Sequence, residues 1–136
     1  MLSPEHLALL LRHRDAENAH KMRETLDTLT KDCVFDDRAM NRVFHGHKGA
    51  EEYYRMWWDA FAIVAHTEKR FFPSPDVAIV ETRFKGKHVG PFMGVAPTGR
   101  EVDVPIAIIV EMKDGLMTGE RFYYDRGTLM KQIGAA

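Results

Sequence analysis

A late pair of strands ends on a carboxylate that could transfer protons. The run over residues 100–125 alternates β-branched and polar side chains around Asp114 and Gly115, a dipeptide that favours a tight hairpin turn. Alternation along the second strand puts Tyr123 and Asp125 on one face. Apolar surroundings raise the pKa of a carboxyl, which suits general acid/base chemistry near neutral pH. Asp125 is therefore the candidate catalytic residue, with capping of the following turn as the competing interpretation.

Aromatic residues outnumber what a single packing seam needs and indicate a ligand pocket. The stretch 50–64 has helical spacing and carries many of these rings. Core packing of this helix against a sheet is the alternative that the same pattern allows. Large rings with a few polar atoms suit a flat or cyclic organic ligand. The predicted pocket is bounded by Tyr53, Trp57, Phe61, Phe92 and Tyr123.

Sequence motifs for other chemistries are missing. The chain contains no G-x-S-x-G, Walker, H-E-x-x-H or paired C-x-x-C sequence. His45 and His47 could bind a metal only with a third ligand, so a structural turn is the better interpretation. His6, His13 and His20 lie seven residues apart, which is about two helical turns, and are predicted to form a solvated stripe. We therefore expect no metal and no cofactor.

The order of the predicted elements is that of an α+β fold. Ser3 and Pro4 begin a first helix that extends to about Arg14. A second amphipathic helix is predicted from apolar residues at helical spacing, namely Ala19, Met22, Leu26, Leu29 and Cys33. Short strands near 34–44, a helix over 50–64 and longer strands over 77–85 and 100–125 follow. Helices followed by long strands indicate a bent sheet packed against helices.

Length and composition are those of one ordinary globular domain. The 136 residues are 45% hydrophobic and 29% charged, with a formal net charge of −1, so a single domain over residues 1–136 is expected. Nucleic-acid binding is not expected without a basic patch, and no basic block indicates membrane binding. The apolar run near the N-terminus lacks the basic start and cleavage site of a signal peptide. Cys33 is the only cysteine, which is typical of a cytoplasmic protein.

The C-terminal half resembles a known family. The runs FMGVAPTGREVDVP, IIVEMKDGLMTGERFYYD and TLMKQIG, within residues 92–134, are similar to SnoaL-like proteins of the NTF2-like superfamily. This resemblance implies an NTF2-like, cystatin-like cone, in which a strongly curved mixed β-sheet wraps around N-terminal helices and encloses a deep, mostly apolar cavity. In SnoaL-like polyketide cyclases an aspartate on a late strand is the general acid/base of an aldol ring closure, and Asp125 has the matching position.

The last two strands are also similar to those of limonene-epoxide hydrolases. Those enzymes pair the acid at the strand end with an Arg-x-Asp on an earlier strand. The matching residues here are Arg83, Phe84 and Lys85, so a lysine stands in place of the aspartate. Epoxide hydrolysis is therefore disfavoured, and Arg83 is predicted to contact an anionic group of the ligand or Glu111.

The predicted function is cofactor-free acid/base chemistry on a hydrophobic, enolisable or polyketide-like small molecule. A non-catalytic module for binding such ligands or for dimerisation is the alternative, because one fold hosts many functions. The hairpin keeps apolar residues on its second face as well, among them Ala107 and Ile109. Two apolar faces need two partners. A homodimer formed through the outer face of the sheet is therefore expected, as the resemblance also implies.

Overall fold

The chain forms a curved mixed sheet covered by helices, within the residues that a computed structural model describes, 1–64 and 67–135. The helices are α1 (Pro4–Asn18), α2 (Met22–Leu26), α3 (Gly46–Ala60) and α4 (Arg126–Gln132). The strands are β1 (Leu29–Asp37), β2 (Arg42–His45), β3 (Phe61–Val64), β4 (Lys69–Ser74), β5 (Val77–His88), β6 (Glu101–Lys113) and β7 (Leu116–Tyr124). None of the described helices is long and apolar enough to cross a membrane.

The sheet has the strand order β2-β1-β7-β6-β5-β3, and β4 also pairs with β5. The pairing of β1 with β7 is parallel, whereas the other named pairings are antiparallel. Helix α3 packs across β1 on the concave side of the sheet. This arrangement confirms the predicted α+β fold with a curved mixed sheet.

The hairpin of β6 and β7 has the turn that the sequence predicts. Asp114 and Gly115 have φ angles of 51° and 81°, and positive φ at both central residues is the requirement of a type I′ turn. The predicted core face of β6 is also confirmed. Its buried members are Val102, Val104, Val110 and Met112.

The second predicted helix is wrong beyond Leu26, because Leu29 and Cys33 lie in β1. Both side chains are buried, as is that of Phe35. The register of β1 against β7 shifts between Leu29 and Val34, so an irregular strand produces apolar residues four apart, like those of a helix. The spacing of Leu29 and Cys33 is compatible with a helix or an irregular strand, and backbone pairing with β7 makes this segment a strand.

The helix predicted over 50–64 begins and ends earlier in the structure. Helix α3 ends at Ala60, and Phe61 is the first residue of β3. The backbone N–H groups of Val89 and Gly90 donate to the carbonyl oxygen of Ala60, at 2.8 and 3.0 Å. A Cβ at residue 90 would lie 2.1 Å from the Asp59 carbonyl oxygen, so glycine is required where this loop crosses the helix end.

Two histidines of the predicted solvated stripe are buried, which corrects that prediction. His6 and His13 are 5% and 4% exposed, whereas His20 is exposed. The Nε2 atom of His6 accepts from the backbone N–H of Gly115 at 3.1 Å, so its Nδ1–H donates to the Pro75 carbonyl oxygen at 3.0 Å. His6 thereby joins α1 to two turns of the sheet.

The outer face of the sheet carries an apolar row across three strands. Phe71 on β4 lies opposite Ile79 on β5, which lies opposite Ile109 on β6. Phe71 is 49% exposed, and Tyr123 on β7, which lies opposite Ala107 on β6, is 40% exposed. Exposed rings next to aliphatic side chains favour association with another apolar surface.

We propose that this row lies in the interface of a homodimer. The wild type should have the mass of two chains in light scattering at micromolar concentration. Ile109→Arg should give single chains with an unchanged circular dichroism spectrum, because a charge in an apolar interface loses its solvation. Val43→Arg is the matched control, since Val43 is 46% exposed on β2, away from the row. A wild-type mass of one chain contradicts the proposal.

Candidate active site

A cavity of about 170 Å³ lies between α3 and the concave face of the sheet. Its wall is mainly apolar and comes from α3 and three strands, with Tyr53, Tyr54, Trp57, Trp58, Phe84, Val104, Ile106, Ile108, Phe122 and Tyr124. Solvent reaches the mouth, because Asn18 is exposed and Val64 is 60% exposed. Mostly apolar walls with a few polar groups are typical of small-molecule sites.

Two tyrosines of the wall share one buried carboxylate. The hydroxyls of Tyr53 and Tyr124 donate to Oδ2 of Asp37, at 2.7 and 2.9 Å. The backbone N–H of Met40 donates to Oδ1 of Asp37 at 2.8 Å, and the aspartate is 0% exposed. Burial and the nearby Asp37 carboxylate raise the pKa of both tyrosines well above the ordinary value. Both phenols therefore stay neutral and fixed in position.

A second polar group, the His13 cluster of His13, Glu17 and Glu120, lies where α1 meets β7. The Nε2 atom of His13 is 2.9 Å from Oε2 of Glu17 and 3.3 Å from Oε1 of Glu120. The Tyr54 hydroxyl is 3.2 Å from the same nitrogen. Glu17 and Tyr54 also line the cavity, so the cluster borders the ligand space.

The orientation of the His13 ring follows from its other nitrogen. The Thr28 hydroxyl donates to the Thr25 carbonyl oxygen at 2.6 Å, so it accepts from Nδ1–H of His13 at 2.7 Å. Burial acts to lower the pKa of His13, but contacts with Glu120 and Glu17 outweigh it and raise the pKa to about 10. Burial raises the pKa of Glu120, although the contact with His13 opposes this change. The imidazole is therefore cationic at neutral pH and holds Glu17 at the cavity.

Trp57 lines the cavity and carries a buried hydrogen-bond donor. Its indole N–H is buried and has no hydrogen-bond partner among the described residues. The indole of Trp57 is close enough to the Tyr53 hydroxyl to lower the pKa of that phenol. The geometry of this contact is not that of a hydrogen bond. Because an unpaired buried donor is costly, a ligand oxygen at this place would gain more than in water.

The sequence-predicted pocket residues divide into three groups. Tyr53, Trp57 and Arg83 line the cavity. Phe61 and Phe92 are each 1% exposed and pack behind Trp57, with ring centroids 5.9 and 5.0 Å from the indole. They support the wall without being among the residues that line it. Tyr123 lies on the outer face.

Tyr123 lies on the face of β7 that points away from the cavity, and β7 ends at Tyr124, one residue before Asp125. In the pairing of β6 with β7, Ile108 lies opposite Phe122, so Phe122 and Tyr124 point inward. Asp125 is exposed and is the N-cap of α4, where its carboxylate accepts from the backbone N–H of Thr128 at 3.3 Å. Hydrogen bonds from the Thr128 hydroxyl and backbone lower the pKa of Asp125. The geometry is that of the competing interpretation, a helix cap.

Arg83 points to an internal partner instead of a ligand anion. Its guanidinium Nε donates to Oδ1 of Asp103 at 2.6 Å. Both side chains are 45% exposed. Glu111, the alternative partner, pairs with Arg121. Arg83 therefore borders the cavity without offering a free charge to it.

Sequence reasoning missed the polar groups that do border the cavity. Asp37 follows Asp36 in a run that reads as an ordinary turn, and no local pattern joins it to Tyr53 and Tyr124. One signal was present for the His13 cluster, since His13 and Glu17 are four residues apart and share a helix face. Glu120 lies more than a hundred residues along the chain, and only the fold brings it to them.

Comparison with known proteins identifies the family. The family model described as SnoaL-like polyketide cyclase matches residues 8–133, and the chain belongs to this family. No curated protein matches the sequence.

Solved structures of low sequence identity share the fold. A polyketide cyclase candidate from Silicibacter sp. TM1040 is 19% identical with a TM-score of 0.86, covering 99% of each chain. TsrD from Streptomyces laurentii is 24% identical with a TM-score of 0.82, covering 100% of each chain. A Catenulispora acidiphila protein with a ketosteroid isomerase-like fold, in complex with trimethylamine, is 19% identical with a TM-score of 0.73, covering 98% of this chain and 95% of that one. The fold is therefore NTF2-like.

Removal of the shared carboxylate should destabilise the protein. Asp37→Ala leaves two buried phenol hydroxyls and one backbone N–H without their acceptor, and we expect the free energy of unfolding to fall by about 2–4 kcal/mol in urea titrations. Asp32→Ala, at an exposed position of the same strand, should change it by less than about 0.5 kcal/mol. Equal effects of the two substitutions contradict the role assigned to Asp37.

Substitutions at Asp125 should show whether its role is to cap α4 or to take part in catalysis. Asp125→Ala should lower the free energy of unfolding by about 1 kcal/mol, whereas Asp125→Asn should retain most of it, because asparagine caps helices about as well as aspartate. Urea unfolding measures both. Any catalytic activity should survive in Asp125→Asn, and its loss without a change in stability contradicts the capping role.

Proposed function

We propose that this member of the SnoaL-like polyketide cyclase family is a cofactor-free enzyme that moves a proton on a hydrophobic, enolisable carbonyl compound. One observation carries the proposal: Glu17, a carboxylate, and Trp57, whose buried indole N–H has no partner among the described residues, both line the same aromatic cavity. A proton acceptor and a donor to a developing oxyanion are the two groups that enolisation needs.

The size and walls of the cavity set the class of ligand. Apolar cavities of about 150 Å³ hold a molecule such as benzene, and this cavity of about 170 Å³ suits one ring system or the ring end of a longer molecule. The mouth beside Asn18 and Val64 leaves room for a chain to extend into solvent. Cyclic or polyketide-like carbonyl compounds have this form.

The proton transfer uses Glu17 as the base. Oε2 of Glu17 accepts from the His13 imidazolium, and we assign the other carboxylate oxygen, Oε1, to the ligand. A proton on the carbon next to the carbonyl passes to Glu17, the C–H electron pair forms the C=C bond, and the carbonyl π pair moves to oxygen. Trp57 donates to that oxygen. Return of the proton to carbon completes an isomerisation. In an aldol ring closure the enolate carbon attacks a second carbonyl, whose π pair moves to its oxygen, and Glu17 returns the proton to that alkoxide.

The base in this proposal is Glu17 because the two phenols of the cavity wall, Tyr53 and Tyr124, stay neutral. The hydrogens of Tyr53 and Tyr124 are held by Asp37, and their raised pKa values keep them from acting as bases near neutral pH. They serve instead as a rigid wall next to Trp57. Low polarity around the ring of the ligand strengthens the interaction of the oxyanion with the indole N–H.

Hydrogen–deuterium exchange of a simple ketone tests the proposal. 2-Indanone in D₂O should lose its α-proton NMR signals faster with the wild type than in buffer alone. Glu17→Gln should reduce the protein-dependent rate by roughly two to four orders of magnitude, while ketone binding seen by saturation-transfer NMR persists. Glu24→Gln, at an exposed position of α2, is the matched control and should leave the rate unchanged.

Two outcomes contradict this proposal. Exchange that survives in Glu17→Gln removes Glu17 as the base. Binding of 2-indanone with exchange at the buffer rate in the wild type removes catalysis and leaves the cavity as a binding site for hydrophobic ligands.

A further inference from the structure

We propose that His13, Glu17 and Glu120 form a binding site for one divalent first-row transition-metal ion. This inference goes beyond the proposed function, because it assigns the His13 cluster a second occupant. Three ligand atoms, one from each residue, lie within 4.8 Å of one another. They come from two elements, α1 and β7, so the site exists only in the folded chain.

The distances between the ligand atoms fit a small metal ion. Nε2 of His13 is 2.9 Å from Oε2 of Glu17 and 3.3 Å from Oε1 of Glu120. Tetrahedral Zn²⁺ with N and O ligands at about 2.0–2.1 Å separates neighbouring ligand atoms by roughly 3.3 Å. Two of the three separations are therefore close to those of a coordination shell, and the two carboxylate oxygens lie within 4.8 Å of each other.

The histidine is oriented as metal-bound histidines are. Its Nδ1–H donates to the Thr28 hydroxyl, which is in turn fixed by the Thr25 carbonyl oxygen. A hydrogen bond from the second ring nitrogen sets the tautomer and directs the ligating nitrogen in many metal sites. Here it aims Nε2 at the two carboxylates.

The charge of the cluster also favours a divalent ion. Two carboxylates face one imidazole, and His13 and Glu120 are 4% and 5% exposed. A divalent ion with a neutral imidazole and two carboxylates leaves no net charge.

An entry route and an open coordination position are available. The Glu17 side chain is 38% exposed and lines the cavity, so an ion can reach the site through the mouth. Three protein ligands leave a fourth position for water. One imidazole with two carboxylates suits Zn²⁺ and similar ions better than Ca²⁺ or Mg²⁺, which prefer oxygen ligands alone.

Calorimetric titration of the chelator-treated full chain with ZnCl₂ tests the site. We expect one Zn²⁺ per chain in the wild type. His13→Gln, Glu17→Gln and Glu120→Gln should each weaken binding by about tenfold or more, and Thr28→Val, which removes only the orienting hydroxyl, by roughly 10–100-fold. His45→Gln and Glu24→Gln, at exposed positions, are the matched controls and should bind as the wild type does.

Cobalt gives a second readout at the metal itself. Co²⁺ bound by the wild type should show visible d–d absorption bands, and His13→Gln should lack them. If His13→Gln or Glu120→Gln fails to fold, Glu17→Gln decides, because that side chain is partly exposed. No Zn²⁺ binding at millimolar concentration, or binding that Glu17→Gln and Thr28→Val leave unchanged, overturns the proposal.

The metal site and the proposed catalysis have separate tests. Both use Glu17, so Zn²⁺ should slow exchange of 2-indanone if that exchange depends on the free carboxylate. Calorimetry measures metal binding whether or not exchange occurs. Zn²⁺ binding without ketone exchange supports the metal site and contradicts the proposed function. Ketone exchange without Zn²⁺ binding supports the proposed function and contradicts the metal site.

Discussion

Ile108 lies opposite Phe122 in the antiparallel pairing of β6 with β7, and this register determines which side chains enter the cavity. Because side chains alternate along a strand, a shift of one residue moves a whole set to the other face. With the observed register Glu120, Phe122 and Tyr124 point inward, toward α1 and α3. The cavity wall and both of its polar groups depend on this pairing.

Polar groups next to an apolar cavity need internal partners, and the protein provides them in two ways. Asp37 is satisfied by two phenols and a backbone N–H, so it stabilises a rigid wall and takes no part in the ligand space. The His13 cluster is different, since Glu17 is paired on one oxygen and partly exposed. Low polarity strengthens the interactions of both groups, but of these two groups the His13 cluster is the one that has a carboxylate, Glu17, among the residues lining the cavity.

The fold limits which of the aromatic residues can touch a ligand. Trp57 reaches the cavity, and Phe61 and Phe92 stand behind it and hold its ring in place. Loss of the Phe61 or Phe92 ring would let the indole rotate and change the direction of its N–H. Packing around the site therefore acts on its chemistry through one side chain.

The α+β class, the hairpin and the core face of β6 could all be predicted from the amino-acid sequence. Those features depend on alternation and on the turn preference of Asp114 and Gly115, which are properties of neighbouring residues. Leu29 and Cys33 could not be placed in the same way, because an irregular strand imitates helical spacing until its partner β7 is known. The residue pattern of a segment predicts its secondary structure reliably when that structure does not depend on pairing with a strand far along the chain.

Which acidic side chains border the cavity depends on contacts between distant parts of the chain. The sequence predicts Asp125 and Tyr123 on a common face of the last strand, whereas β7 ends at Tyr124 and Asp125 is the N-cap of α4. Nothing local states which face the sheet turns toward α3. The groups that border the cavity or support its wall, Asp37 with its tyrosines and His13 with Glu17 and Glu120, join residues far apart in the chain. Their hydrogen bonds and ion pairs exist only once the sheet has curved around the helices, and no spacing along the sequence records them.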